Sequence, residues 1–199
     1  MDELLGILVL DAGPAKTAAL TAWVQSLYPI AKDRPILVGG SAVELFTGGA
    51  YVTGDFDFVG LVPDSVGKAL KKEGFRKEGR HWIHEEGQIF LEFPSSNLAE
   101  GEQAVERKFE NRKILIVSPE DLIVDRLSAW SHWSSAVDGV NAYLLYRSLK
   151  RELDGARLKT RAADAEVMPG YKAVVSLFNK WKGKTPDKKE FDEWTRKIP

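Results

Sequence analysis

The sequence predicts an α+β fold, with an α/β core over residues 1–117 and a helical region over residues 118–199 packed on it. Three observations carry this expectation. Short β-branched and aliphatic runs, RPILV, GDFDFV, QIFLEF and KILIV, all fall before residue 118 and are interleaved with segments of helical pattern. From SPEDLIVDRLSAW onward the chain reads as helical throughout. The 199 residues, 44% of them hydrophobic, are enough to bury a sizeable core in one large domain or two small ones.

The elements follow in order. LLGILVL near the start is strand or helix, since a short apolar run does not separate the two. Residues 14–28 are rich in helix formers and place Leu20, Trp23, Val24 and Leu27 on one stripe. RPILVGG reads as a buried strand stopped by a tight turn. SAVELF reads as a short helix capped by Ser41, and YVTGDFDFVGLV as the next strand. A helix is expected over about 64–73, with Asp64 or Ser65 as cap and Gly74 as stop. HWI and QIFLEF are expected to form a hairpin around EEG, and KILIV is the last strand. SPEDL then opens a helix with Ser118 as cap, Pro119 at the first position and acids in the first turn. Helical segments follow at VNAYLLYRSLKREL, KTRAADAEV, YKAVVSLFNKWKG and DKKEFDEWTRK, with no internal repeat.

Composition narrows the chemistry. A net charge of -1, from 28 Lys+Arg against 29 Asp+Glu, gives no global attraction to nucleic acid or an anionic membrane. The cations of residues 180–199 are interspersed with acids and read as a solvated helix face. With no cysteine, disulfides, thiolate catalysis and Cys-ligated zinc are excluded. MDELLGILVL carries acids where a secretory signal carries positive charge, and its apolar run is too short to span a bilayer. A cytoplasmic protein without a membrane partner is expected.

The chemistry concentrates in ILVGGSAVELFTGGAYVTGDFDFVG, residues 36–60. In a strand, Asp55 and Asp57 share one face while Phe56 and Phe58 share the other. Their Cα atoms then lie roughly 6.5–7 Å apart. Two carboxylates so placed can serve Mg²⁺ ions in an in-line displacement at phosphorus. An edge strand with apolar residues inward and polar residues outward reads the same way. Upstream, Gly39 and Gly40 at a strand-to-helix junction, with Ser41 and the first amides of the helix, make an anion cradle or a plain tight turn. The fifteen residues from Gly40 to Asp55 are long enough for a short helix to return the chain to the neighbouring strand. Phosphate pocket and metal pocket are then expected to adjoin.

The composite ILVGGSAVELF…TGDFDFV resembles the signature of the nucleotidyltransferase superfamily with the DNA polymerase β fold. It is most similar to the small prokaryotic branch that includes the AbiEii-type toxins. The likeness covers residues 36–138, taking in KALKKEGF, GQIFLEFP and SPEDLIVDRLSAW. It implies a mixed sheet with flanking helices, with Gly39, Gly40 and Ser41 at a nucleoside triphosphate and Asp55 and Asp57 as ligands of two Mg²⁺ ions. It further implies a third carboxylate on the QIFLEFP strand, which here is Glu92 in place of the usual aspartate, as metal ligand and base. Arg126 matches the basic residue that faces the nucleotide in the resembling toxins. The acceptor implied is a tRNA, a protein hydroxyl or a small molecule, and the setting a toxin-antitoxin or defence system with an antitoxin protein as partner.

Alternatives stand beside each of these residues. Glu92 is otherwise an exposed strand residue, Arg126 an ordinary helix-surface arginine, and Asp138 a salt-bridge partner. Asp121 and Asp125 are expected on the surface of their helix. His81, His84 and His132 form no metal set, because His81 and His84 fall on opposite strand faces. The tryptophans at 82, 130, 133, 181 and 194 are read as packing residues rather than base-stacking ones. As a whole, the chain is a nucleotidyltransferase or an inactive nucleotide-binding module of the same fold. A D-x-D glycosyltransferase needs no phosphate turn at this spacing.

Overall fold

A computed structural model describes residues 2–197. The chain divides into two compact units, one ending at Val117 and the other beginning at Ser118.

The first unit contains α1 (Asp2–Leu8), α2 (Pro14–Ser26), β1 (Ile36–Val38), α3 (Gly39–Thr47), β2 (Asp55–Val59), α4 (Asp64–Lys72), β3 (Arg76–Glu78), β4 (His81–His84), β5 (Ile89–Ser95), β6 (Ala104–Phe109) and β7 (Arg112–Val117). The ambiguous LLGILVL segment is therefore helical. The strands form one seven-stranded sheet in the order β3-β4-β5-β2-β1-β7-β6. It is mixed: β1 runs antiparallel to β2 and parallel to β7, while β2 runs parallel to β5.

The fold here is α+β, as expected, and its core lies on one face of the sheet. Leu37 is in register with Phe58 and Ile116, and Phe56 with Leu91. Leu37, Phe58, Leu91 and Ile116 are fully buried, each burial being worth about 1.5–3 kcal/mol. The opposite face carries another row, Val38, Asp57, Glu92 and His81, also in register across four strands.

β1 is only three residues long, confined between Pro35 and Gly39, and it meets β7 at a single register pair, Leu37 with Ile116. The buried Gln25 side chain of α2 supplements that seam. Its amide nitrogen donates to the Pro35 carbonyl at 2.9 Å and the Leu115 carbonyl at 2.7 Å, and its oxygen accepts from the Leu115 amide at 2.9 Å. A side chain thus stands in for strand backbone, and the buried main-chain groups are paired.

β3 and β6 were not expected. Both are outermost in the sheet, and β3 is exposed along its whole length. An edge strand with no buried side need not show alternation.

The second unit is helical: α5 (Pro119–Trp133), α6 (Ala136–Leu149), α7 (Gly155–Asp164), α8 (Met168–Lys180) and α9 (Lys188–Thr195). Ser118 caps α5 as expected, its oxygen accepting from the Asp121 amide at 3.2 Å, with Pro119 at the first position. Trp130 is fully buried and donates to the Thr195 carbonyl at 3.0 Å, tying α5 to the end of α9.

Two surface expectations fail here. Asp121 is buried, because its carboxylate is clasped by Arg157, by Arg161 at 2.9 Å and by the Ser118 hydroxyl at 2.7 Å. Trp133, expected to pack, is 81% exposed at the end of α5, beyond the last buried position of that helix.

Candidate functional site

The turn and the acidic strand are brought together by the pairing of β1 with β2, which sets Val38 opposite Asp57. The next residue, Gly39, has φ +63° and begins α3 directly from the strand. A Cβ added there would come within 2.9 Å of the Asp57 Cγ and 3.0 Å of its Cβ. Glycine is required twice over, by its backbone conformation and by the closeness of the carboxylate. One residue on, a Cβ at Gly40 would meet the Thr53 side chain at 3.1–3.3 Å.

Ser41 differs from expectation. The helix begins three residues earlier than a cap at Ser41 would have it, with Val38 as N-cap and no side-chain cap. Ser41 is fully buried, and its hydroxyl donates to the Asp55 carbonyl at 2.7 Å. Its hydroxyl proton is therefore committed to the main chain of the acidic strand. The amides of the first turn of α3 have no acceptor within the helix, and they are the groups at this junction that could receive an anion.

On β2 the alternation is as expected: Phe56 and Phe58 are buried, Asp55 is exposed and Asp57 half-buried. The parallel pairing of β2 with β5 places Glu92 directly beside Asp57. Glu92 is engaged there by a cation, since Arg80 Nε lies 2.7 Å from its Oε1 and His81 Nδ1 lies 3.9 Å from its Oε2. Among the described residues, no group of three or more His, Cys, Asp or Glu side chains forms that could hold a metal ion. The residues that could hold a hard cation are Asp55 and Asp57, two oxygen donors on one face of β2, a donor type that magnesium takes together with waters and phosphate oxygens.

Arg126 belongs to the helical unit. It is bound to Asp125 and, at 2.7 Å, to Asp138, which makes the expected salt bridge. Burial alone would lower the Arg126 pKa, but Asp125 and Asp138 outweigh it and hold the group firmly charged. His81 and His84 lie on opposite faces of β4, and the buried His84 accepts the Gly87 amide through Nδ1 at 2.9 Å.

Two contributors escaped the sequence. Arg80 reaches Glu92 only through the β4–β5 register, which no local spacing reports. Glu44, fully buried on α3, accepts the Thr53 amide at 3.4 Å. Its signal was an acid within the otherwise apolar run AVELF.

The chain is similar in structure to an antigenic nucleotidyltransferase-like protein from Paracoccidioides brasiliensis. The TM-score is 0.57, with 13% sequence identity over 83% of this chain and 94% of that one. The fold is nucleotidyltransferase-like. No family profile and no curated protein matches the chain. In this nucleotidyltransferase-like fold the strands of the candidate site, β1, β2 and β5, are adjacent at the middle of the sheet. Among the described residues no helix is long and apolar enough to cross a membrane.

Proposed function

We propose that this chain is a Mg²⁺-dependent nucleotidyltransferase that moves a nucleoside monophosphate from an NTP to a hydroxyl acceptor, the acceptor oxygen bonding to the α-phosphorus as the bond to the β-phosphate breaks and pyrophosphate leaves. The observation that carries the reading is the seating of the Gly39 turn against the Asp57 side chain. It puts an anion-binding helix start and a pair of carboxylates side by side, as a nucleoside triphosphate with its cation requires.

In this reading the amides of Gly39, Gly40 and Ser41 orient the triphosphate, and Asp55 and Asp57 hold the cation. Magnesium, when bound, neutralises phosphate charge and makes an oxygen nucleophile easier to form. Glu92, beside Asp57 in register, is the base that takes the acceptor hydroxyl proton, once it exchanges its Arg80 partner for the acceptor. Arg126 takes no part in the reaction, its charge being taken up by Asp125 and Asp138. The AbiEii-like motif extends the proposal to a tRNA end or a protein hydroxyl as acceptor, and to a cytoplasmic toxin-antitoxin or defence setting with an antitoxin partner.

The engagement of Glu92 by Arg80 favours a second reading, a nucleotide-binding module without turnover. One experiment separates the two. The protein is incubated with Mg²⁺, each labelled NTP in turn, and total RNA or cell lysate, with the Asp55→Ala/Asp57→Ala double variant as control. Label transferred above the control supports the enzyme. Nucleotide binding with no transfer from any NTP sinks the transferase reading and leaves the module.

A further inference from the structure

Glu44 and Ser41 lie three residues apart on α3, a spacing that puts them on one helix face, and both reach the short segment from Thr53 to Asp55. Three hydrogen bonds fix that segment. The Thr53 amide donates to Glu44 Oε2 at 3.4 Å, the Asp55 amide donates to Thr53 Oγ1 at 3.3 Å, and the Asp55 carbonyl accepts from the Ser41 hydroxyl at 2.7 Å. The Thr53 side chain also fills the space above Gly40. Both main-chain groups of Asp55 are thus held, one directly from α3 and the other through Thr53.

Glu44 is costly where it is. The residue has no exposed surface, and its Oε1 makes no hydrogen bond. A buried polar atom left unpaired is unfavourable, because it has given up water and received no partner in exchange. A helix position that needed only volume would be filled by Leu or Met without that cost. What the carboxyl supplies, and neither of those side chains could, is an acceptor for the Thr53 amide, with the Thr17 hydroxyl as a second partner.

We infer that Glu44 is a positioning residue: its carboxyl fixes Thr53 and, through Thr53, the backbone of Asp55, so that the Asp55 carboxylate is presented beside Asp57 and the Gly39 turn. The inference rests on the proposed reading of Asp55 and Asp57 as cation-holding acids. It assigns Glu44 no contact with substrate or metal.

The test uses the full chain and Mn²⁺ as the probe, read by electron paramagnetic resonance with Mg²⁺ competition. Amide hydrogen exchange at residues 53 and 55 is followed alongside. Glu44→Leu, which keeps volume and removes the acceptor, weakens Mn²⁺ binding about tenfold, the scale at which residues supporting metal ligands act. The 53 and 55 amides lose protection in this variant while those of β5 keep theirs. Glu44→Gln, which keeps an acceptor, restores both readouts to near the wild-type values, well short of the roughly tenfold loss. Thr53→Val, which leaves Glu44 in place and removes the acceptor for the Asp55 amide, reproduces the loss of affinity and supplies the result if Glu44→Leu does not fold. Wild-type Mn²⁺ affinity in folded Glu44→Leu or Thr53→Val overturns the inference, as does equal loss in the Gln and Leu variants. If the wild-type chain binds no more Mn²⁺ than Asp55→Ala/Asp57→Ala, the cation reading fails instead, and the exchange of the 53 and 55 amides still decides whether Glu44 holds Thr53.

Discussion

The Asp57 side chain lies where a side chain at position 39 would have to go: a Cβ at Gly39 would sit 2.9 Å from the Asp57 Cγ. The turn and the carboxylate are therefore mutually exclusive claims on one small volume, and only glycine lets both stand.

Gly39→Ala is expected to destabilise the first unit by roughly 2–4 kcal/mol, from the left-handed conformation and from displacement of Asp57 together. Urea denaturation measures the loss. Mn²⁺ titration of the same variant is expected to show weaker binding even where the chain is folded, because Asp57 has been pushed aside.

Removing the cation beside Glu92 acts in the other direction. Arg80→Gln leaves Glu92 unneutralised next to Asp57, and a more negative face attracts divalent cations more strongly. Mn²⁺ affinity is expected to rise about threefold to tenfold, equivalent to about 0.7–1.4 kcal/mol. A fall would show that Arg80 holds Glu92 in a cation-binding pose.

Glu44 gives the stability a pH dependence of known sign. Burial raises its pKa above the ordinary carboxylate range, and the Thr53 amide and Thr17 hydroxyl only partly offset this. The folded chain then keeps the proton over a window in which the unfolded chain has released it. That contribution is complete below the unfolded pKa and is lost as pH rises through the folded one. Unfolding free energies of wild type and Glu44→Gln, compared from about pH 4 to about pH 8, are expected to show a flatter slope in the variant.

Gln25→Leu tests the seam between β1 and β7. It leaves the Pro35 carbonyl and both main-chain groups of Leu115 without the partners they now have. A loss of about 3 kcal/mol or more is expected in urea denaturation, with the m-value unchanged.

Where the physics is local, the sequence showed it. The period-two alternation of Asp55, Phe56, Asp57 and Phe58 predicts which side chains are covered, and Ser118-Pro119 marks a helix start that the structure bears out. Glycines between a strand and a helix pointed to the turn, although the function of Ser41 changed from helix cap to anchor of Asp55. What escaped depends on partners distant in the chain. Asp121 was expected at the surface because its two arginines lie 36 and 40 residues downstream. Arg80 meets Glu92 by strand register, and the edge strand β3 has no covered side to impose a pattern, while β6 covers its alternate residues only in part. Glu44 was visible as an acid among apolar neighbours, but its partner lies across a loop whose shape no spacing rule describes.

The anchoring of Thr53 and Asp55 from α3 leaves the stretch between Gly49 and Thr53 outside the hydrogen bonds that set the acidic strand. Gly49 is itself fastened back to the Glu44 carbonyl at 2.9 Å, and Val52 is 53% exposed. Ala50 and Val52 are exposed there, so residues are expected to be tolerated as insertions, or a spectroscopic label carried, while both ends stay tied to the same helix. A label there would report on the neighbourhood of Asp55 without entering it.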